Sequence, residues 1–291
     1  MNRQSGFTLV EVAIVLLIVA ILLGYTVALF PQQQQLKQYR AAERDMDRAI
    51  EAIIGFAQVN GRLPCPAMPS TAGLEDSNAN GCNQYGGFVP INTLGLDGRS
   101  NEDFLLVDPW GNPYRYYVSD SDTTEAGNLG VTDFTAGNEM RAVGLGDEGG
   151  DGYVDLDGRF IICDSAGTTM DDQCVDSVEI FGTYAPNGGE PRYAGAPFVL
   201  MSLGKNGIET PANGSDEEEN RGVTPVNGGG GFGLGLPLGP TNRDYVIKDV
   251  GSNESTFVRR PTGLADDFDD IVRWVSPNVL FARMIQADQL P

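Results

Sequence analysis

The side chains that could carry out chemistry in this chain are carboxylates and cysteines, because none of its 291 residues is a histidine. The lack of histidine excludes Ser-His-Asp and Cys-His catalysis, histidine-ligated zinc and histidine pH switches. Many pairs of carboxylates could be imagined for glycoside hydrolysis, but no sequence signal selects one pair. The sequence also lacks a Gly-x-Ser-x-Gly nucleophile elbow and a phosphate-binding loop. We therefore expect that the protein is not an enzyme.

The carboxylates dominate the charge of the molecule. Asp and Glu total 40, Lys and Arg total 19, and the formal net charge is −21. Nucleic-acid binding depends largely on Lys and Arg side chains that neutralise phosphates. The charge balance therefore predicts no nucleic-acid partner.

Two acidic segments could bind a hard cation such as calcium, which takes about six to eight oxygen ligands. One is the Asp- and Gly-rich segment 147–158, whose spacing does not match the EF-hand pattern. The other is the cluster of Asp266, Asp267, Asp269 and Asp270, in which a divalent ion would relieve mutual repulsion. Either segment could equally be a solvated turn without a metal, and both interpretations stay open at this point.

The N-terminal segment 7–30 is an apolar run whose only charged residue is Glu11. A helix of this length can span a bilayer. A secretory signal peptide is the competing interpretation. Its apolar core is shorter and ends in a small-residue cleavage site, which Tyr25, Leu29 and Phe30 do not provide. A carboxylate inside a membrane helix is costly, so Glu11 is a candidate functional residue.

The start of this run resembles a known signal. The sequence Gly6-Phe7-Thr8-Leu9-Val10-Glu11, behind the short polar leader 1–6, looks like the prepilin signal of type IV pilins and type II secretion pseudopilins. The resemblance implies cleavage after Gly6 by a prepilin peptidase and N-methylation of Phe7. It also implies that Glu11, the fifth mature residue, neutralises the N-terminal amine of a neighbouring subunit during assembly. The alternative is an ordinary signal-anchor helix with a chance glutamate.

The resemblance also implies partners and a location. The partners would be other pilin or pseudopilin subunits, the prepilin peptidase and the inner-membrane assembly platform. The protein would cross the bacterial inner membrane once and carry a periplasmic head, which would be extracellular in an assembled pilus.

Residues 31–60 predict an amphipathic continuation of the helix. Pro31 would kink the helix rather than end it, whereas Asn60-Gly61 predicts its end. The apolar positions recur at helical spacing on one face, and they are Leu36, Tyr39, Met46, Ile50, Ile53, Ile54 and Ala57.

Residues 61–291 predict a β-rich head. The fold class is therefore α+β, with a long N-terminal helix packed on a mainly antiparallel β-sheet head with insertions, as in pilins. Segment 222–242 is a Gly-rich loop, and Ser276-Pro277 predicts the start of a last helix over 277–289. The predicted strands are 104–107, 114–118, 140–145, 158–163, 178–184, 198–203, 244–250 and 270–275.

The four cysteines all follow the predicted membrane helix, so they would lie in an oxidising periplasm where disulfides persist. Pairing of Cys65 with Cys82 and of Cys163 with Cys174 is the simplest of three connectivities. A metal site would favour Cys-x-x-Cys spacing, which is absent. We expect structural disulfides.

Two further motifs resemble the major pseudopilin of type II secretion. The sequence from Asp108 to Tyr114, Asp-Pro-Trp-Gly-Asn-Pro-Tyr, resembles its hairpin turn. The sequence 202–207, together with Asp270-Ile271, resembles its calcium loop, which runs from a Ser-x-Gly-x-Asp-Gly turn to an Asp-x-Asp-Ile segment. Here Asn206 stands where that turn has Asp, and Phe268 stands two residues before Asp270. The candidate calcium ligands are Leu203, Asn206, Asp267, Asp269 and Asp270.

These features predict a structural subunit, either a minor pilin or a pseudopilin. A large head with a Gly-rich excursion favours a minor subunit over a major subunit, which is usually compact. The alternative is a membrane-anchored or filament-tip adhesin or substrate-recognition protein with a calcium-stabilised head.

Overall fold

The computed structural model describes only part of the chain. The described residues are 8–122, 131–145, 156, 158, 160–163, 195–207, 220–221, 224–225, 246–248, 250, 255–259 and 268–290. At 24–32, 161, 224–225, 246 and 255–256 only the backbone is described. The predicted strand 178–184, most of the predicted loop 222–242 and the leader 1–6 lie outside the described residues.

The described chain contains one long helix, several short helices and a set of short strands. In chain order the elements are α1 (Leu9–Asn60), a 3₁₀ turn (Pro69–Thr71), β1 (Ser77–Asn78), β2 (Gly81–Cys82), β3 (Gly86–Phe88), α2 (Ile91–Leu94), β4 (Arg115–Val118), α3 (Glu139–Val143), β5 (Phe160–Cys163), β6 (Phe198–Ser202), β7 (Thr224–Pro225), β8 (Val246–Ile247), β9 (Ser255–Val258), β10 (Ile271–Trp274) and α4 (Pro277–Gln286).

The predicted long helix is confirmed as α1, which continues through Pro31 and ends at Asn60. Gly61 ends it by adopting a φ of 66°, a conformation that costs glycine no steric strain. The Gly61 N–H donates to the Ala57 carbonyl at 2.8 Å. The Asn60 side-chain amide donates to the Phe56 carbonyl at 2.8 Å, so side chain and backbone both satisfy the last turn.

The chain divides into two compact units, Met1–Ala41 and Ala42–Pro291. In the second unit the buried face of α1 differs slightly from the predicted one. Ala42 and Ala49 are buried, whereas Ile50 is only half-buried. Small alanines let the helix backbone approach the head closely. The Tyr114 hydroxyl, for example, donates to the Ala42 carbonyl at 3.4 Å.

The centre of the head is a four-stranded sheet in the order β10-β6-β4-β3, in which every neighbouring pair is antiparallel. This confirms the predicted mixture of a long helix and an antiparallel sheet. All four residues of β4 are buried, so both faces of the sheet are covered. The Tyr116 hydroxyl donates to the Pro64 carbonyl at 2.9 Å, while Tyr117 packs against Phe257 with ring centroids 5.0 Å apart.

A second, two-stranded sheet pairs β5 with β9 in parallel. Its aromatic side chains join the core of the main sheet, because the Phe257 ring packs against Tyr117 of β4 and also meets the Phe160 ring edge to face at 5.5 Å. The prediction of a mainly antiparallel head therefore holds for the central sheet and not for this pair.

The prediction of a strand over 140–145 is wrong, because this segment forms helix α3. Met140 and Val143 are both buried, and a spacing of three residues places them on one helical face. Gly144, with a φ of 67°, ends the helix.

Two further strand predictions are only partly correct. Within 104–107, Leu106 and Val107 form isolated bridges with Ser100 and Pro113. Among the described residues of 244–250, which are 246–248 and 250, the strand is β8.

Helix α4 confirms the helix predicted after Ser276, although it ends at Gln286 rather than at 289. Its buried side includes Leu280, Phe281 and Met284. The Gln58 side-chain amide donates to the Arg283 carbonyl at 3.1 Å, which places α4 beside the C-terminal part of α1.

Candidate functional site

The N-terminal end of α1 contains Glu11, the residue singled out for assembly. The Thr8 N–H and hydroxyl both donate to Glu11 Oε2 at 3.4 Å, and the Glu11 N–H donates to Thr8 Oγ1 at 3.3 Å. These long, reciprocal bonds form a capping box, in which a Thr and a Glu three residues later satisfy each other's backbone donors. The carboxylate therefore lies at the start of the helix, where the dipole favours negative charge. The predicted cleavage residues Gly6 and Phe7 lie outside the described residues.

The helix that follows Glu11 presents an apolar surface to solvent. The large apolar side chains between Leu9 and Leu23 are 42% to 87% exposed. Burying one Val, Leu or Ile side chain contributes about 1.5–3 kcal/mol, so this surface gains strongly from a covering environment. Within the described part of the chain, no helix is long and apolar enough to cross a membrane. The membrane crossing by 7–30 stays a prediction.

The predicted turn at Asp108–Tyr114 closes around the carboxylate of Asp108, which is fully buried. Its Oδ1 accepts hydrogen bonds from the N–H groups of Trp110 and Asn112, both at 2.9 Å. The Asp108 N–H donates back to the Asn112 carbonyl at 2.9 Å, and Val107 bridges Pro113 in antiparallel fashion. The predicted hairpin geometry is therefore present, and Asp108 organises it as an Asx turn.

The same turn is bonded to the loop that follows β6. Asp108 Oδ2 accepts a hydrogen bond from Ser202 Oγ at 2.6 Å, and Asn112 Nδ2 donates to the Gly204 carbonyl at 2.6 Å. Burial raises the pKa of Asp108, while the hydrogen bonds from Ser202 and the turn act in the opposite direction. The turn and the Ser202–Gly207 loop thus form one hydrogen-bonded structure.

Asp269 attaches a third segment to this structure. Its Oδ2 accepts hydrogen bonds from the N–H groups of Lys205 at 2.6 Å and Asn206 at 3.1 Å. Gly204 has a φ of 60°, and a Cβ at this position would collide with the carbonyl oxygen of Asp269. We call the three segments 108–114, 202–207 and 268–270 the three-loop junction.

Asp270, the next residue, is bound by a residue that lies 50 positions earlier in the sequence. Its Oδ2 accepts a hydrogen bond from Asn220 Nδ2 at 3.0 Å. Asn220 is fully buried, and its amide also pairs with both backbone groups of Val258, at 2.7 and 2.8 Å. Asn220 therefore holds Arg221 next to the three-loop junction.

Arg221 lies among charges of both signs. Burial lowers the pKa of its guanidinium, the positive charge of Arg115 lowers the pKa further, and the Asp270 carboxylate raises it. Arg115 is buried, and its Nη1 donates to the Arg221 carbonyl at 3.4 Å. Two guanidinium groups and one carboxylate thus share this part of the head.

The structure brings four of the five predicted calcium ligands together. Leu203 and Asn206 lie on the loop that Asp269 binds, and Asp270 lies next to Asp269, whereas Asp267 is outside the described residues. Within the described ranges, no group of three or more His, Cys, Asp or Glu side chains is placed to hold a metal ion. Of the second candidate segment, 147–158, only residues 156 and 158 are described.

The first predicted disulfide is confirmed. Cys65 and Cys82 are bonded with an S–S distance of 1.98 Å, and both are buried. Cys163 is disulfide-bonded too, and Cys174, its predicted partner, lies outside the described residues. The Arg62–Glu75 ion pair, at 2.7 Å, reinforces the segment around the first disulfide, because Glu75 also accepts the Cys65 N–H at 3.0 Å.

Several contacts that build these sites were not predicted. The Thr8–Glu11 pair follows a Thr-x-x-Glu pattern that could have been recognised in the sequence. Nothing in the sequence indicates that Asp108 binds Ser202 or that Asn220 binds Asp270, because these partners are 94 and 50 residues apart.

Comparison with known proteins finds one match. Residues 1–27 match the family model described as the prokaryotic N-terminal methylation motif. No curated protein and no solved structure matches the chain.

Proposed function

We propose that this chain, which carries the signal of type IV pilins and pseudopilins, is a minor pilin or pseudopilin that is built into a filament through α1. The N-terminal methylation motif at residues 1–27 implies processing by a prepilin peptidase and assembly with other pilin subunits. It points to a structural subunit and to a membrane-associated or surface-assembled protein. That motif is the observation that carries the proposal.

The geometry of Glu11 supports its role in assembly. Cleavage after Gly6 would create a new N-terminal amine at Phe7, one residue before the Thr8 cap. A carboxylate at the start of a helix is well placed to pair with such an amine, either its own or that of a neighbour. Pairing across subunits would fix the axial position of one helix against the next.

The exposed apolar surface of Leu9–Leu23 supports the same proposal. A surface of this kind is stable only when lipid or other apolar helices cover it. Before assembly, the inner membrane would cover it. After assembly, the helices of neighbouring subunits would cover it, and Glu11 would then need a cationic partner because the surroundings are apolar.

The head supports a minor rather than a repeated role. It extends from residue 61 to 291, and the whole net charge of −21 lies there, since the first 60 residues carry five acidic and five basic side chains. Closely packed copies of such a head would repel one another. A subunit at a filament tip has few identical neighbours, and there the head could also contact a surface or a secreted substrate.

Images of filaments and a secretion assay in a deletion strain distinguish a pilus role from a secretion role.

The experiment that tests the proposal is replacement of Glu11. In the bacterium that makes the protein, Glu11→Ala should abolish its recovery with sheared filaments or its cross-linking to other pilin-like subunits. The head should remain folded, which formation of the Cys65–Cys82 disulfide reports. Glu51→Ala is the matched control, because Glu51 lies on the same helix and its side chain is 66% exposed. Normal incorporation of the Glu11→Ala protein would contradict the proposal.

A further inference from the structure

Two cations follow the apolar run of α1 and are the only charges in a long stretch of sequence. Between Glu11 and Glu43 the charged side chains are those of Lys37 and Arg40 alone. Both residues are exposed, and a spacing of three residues places them on the same side of the helix. They carry positive charge in a protein whose net charge is −21. This segment of α1 is therefore suited to an anionic partner.

The two cations have no acidic partner in their own part of the molecule. Glu11 is the only acidic residue of the unit Met1–Ala41. It precedes Lys37 by 26 residues, which is about 39 Å along a helix. An ion pair within this unit is therefore out of reach for Lys37 and for Arg40.

Both cations lie within the field of lipid headgroups when the apolar run 7–30 is in a bilayer. At 1.5 Å per residue, Lys37 is about 10 Å and Arg40 about 15 Å beyond Phe30. The headgroup layer is about 5–8 Å thick, and the potential of charged headgroups extends about 8–10 Å further. The Cα–Cβ bonds of a helix tilt toward its N-terminus, here toward the membrane, and long cationic side chains reach headgroups in this way.

The usual charge bias of membrane insertion does not explain these cations. Flanks of a membrane helix that carry an excess of Lys and Arg usually stay in the cytoplasm. Here the flank before the run carries Arg3 alone, and cleavage after Gly6 would remove it. The proposed orientation places Lys37 and Arg40 on the opposite, periplasmic side. A separate role at that surface accounts for their presence.

We propose that Lys37 and Arg40 bind the phosphate groups of anionic phospholipids, such as phosphatidylglycerol, at the periplasmic surface of the inner membrane. The inference rests on the proposed function, because it places the run 7–30 in that membrane. The contact fixes the depth of the helix before assembly. It also offsets the repulsion between the acidic head and an anionic lipid surface. Entry into a filament breaks the contact.

The test uses the purified full-length protein in detergent micelles that contain equal amounts of phosphatidylglycerol and phosphatidylcholine. Native mass spectrometry measures the ratio of the two lipids that remain bound. We expect the unmodified protein to retain more phosphatidylglycerol than phosphatidylcholine. The ratio should fall about fivefold in Lys37→Gln and in Arg40→Gln, and further in the double variant. Equal retention of both lipids by the unmodified protein would overturn the inference.

A second double variant, Arg44→Gln with Arg48→Gln, is the matched control. It removes the same charge from exposed positions of α1, but these are 14 and 18 residues past Phe30. We expect it to keep the lipid ratio of the unmodified protein. An equal fall in both double variants would reveal a general attraction to positive charge and would refute the assignment to Lys37 and Arg40.

An acidic face of a neighbouring subunit is the other partner that these cations fit. That partner is indicated if Lys37→Gln with Arg40→Gln leaves the lipid ratio unchanged but removes the protein from sheared filaments, and this result would overturn the lipid assignment. The lipid measurement needs neither the peptidase nor a filament. Its failure is therefore distinguishable from failure of the proposed function, which the Glu11→Ala experiment reports.

Discussion

The buried carboxylate of Asp108 allows the sharpest prediction about stability. It is fully buried and accepts hydrogen bonds from Trp110 N, Asn112 N and Ser202 Oγ at 2.9, 2.9 and 2.6 Å. Asp108→Ala removes the acceptor of all three donors. Asp108→Asn keeps an oxygen for the two N–H groups, and its amide can donate to Ser202 Oγ.

The expected loss of stability follows from these bonds. A buried donor without a partner costs about 1–3 kcal/mol, and three donors lose theirs in Asp108→Ala. Removing the carboxylate also removes the cost of burying it, so we expect a net loss of about 3 kcal/mol. A protein of this size loses about 2–4 °C in Tm per kcal/mol, so Tm should fall by about 6–12 °C. Asp108→Asn should cost less than Asp108→Ala, because the amide keeps a hydrogen-bonding partner for each of the three groups.

The pH dependence gives a second measurement on the same variants. Burial raises the pKa of Asp108 above its usual 3.8. From pH 3.8 up to the raised value, the folded state therefore binds more protons at this residue than the unfolded state. The contribution of Asp108 to stability falls as the pH rises through this window. Asp108→Asn lacks this dependence, so the advantage of Asp108 over Asn should be larger below pH 3.8 than at neutral pH.

Chemical unfolding of the full-length protein and both variants, at acidic and neutral pH, provides the assay. Ser202→Ala is the comparison variant, because it removes the bond to Asp108 and the longer bond, at 3.3 Å, that Ser202 Oγ accepts from the Gly204 N–H. The reasoning is refuted if Asp108→Ala and Asp108→Asn are equally stable, or if the advantage of Asp108 grows as the pH rises.

Three further predictions concern a disulfide of the head and two glycines, one in α1 and one in the head. Replacing both Cys65 and Cys82 by Ser should lower the free energy of unfolding by about 3 kcal/mol, because their disulfide closes a loop with a sequence separation of 17. Urea unfolding of the oxidised protein and of the variant measures this loss. No effect would mean that the unfolded chain is not restrained by this bond. Gly55→Ala should stabilise the protein by about 0.5–1 kcal/mol, because Gly55 is inside a helix and no atom lies within 4 Å of the added Cβ. Gly204→Ala should destabilise it, because its φ is 60° and Asp269 occupies the space; the same sign for both alanines would contradict the account.

Local features were predictable where one residue type decides the backbone. Gly61 ended α1 as expected, since only a residue without a Cβ adopts its positive φ at no cost. Ser276 and Pro277 predicted the start of α4 because proline suits the first turn of a helix. The turn at Asp108 was predictable because its Asp and Gly residues favour that geometry.

Features that depend on partners distant in the sequence were not predictable. Strand β3 was missed because Gly86 and Gly87 have no β-forming side chains; their pairing with Tyr117 and Tyr116 makes the strand. Helix α3 was mistaken for a strand because a short run of apolar residues fits both the residue spacing of a helix and the alternation of a strand. At the three-loop junction, the resemblance linked 202–207 to Asp270-Ile271, but nothing in the sequence indicated that the turn at Asp108 or Asn220 joins them.

The central claim, that this chain enters the pilin pathway, is tested most directly by the intact mass and N-terminal sequence of the membrane-extracted protein. The protein should be prepared with and without an active prepilin peptidase. The account predicts a chain that begins at N-methylated Phe7 only when the peptidase is present. A chain that still begins at Met1 beside the active peptidase would contradict it.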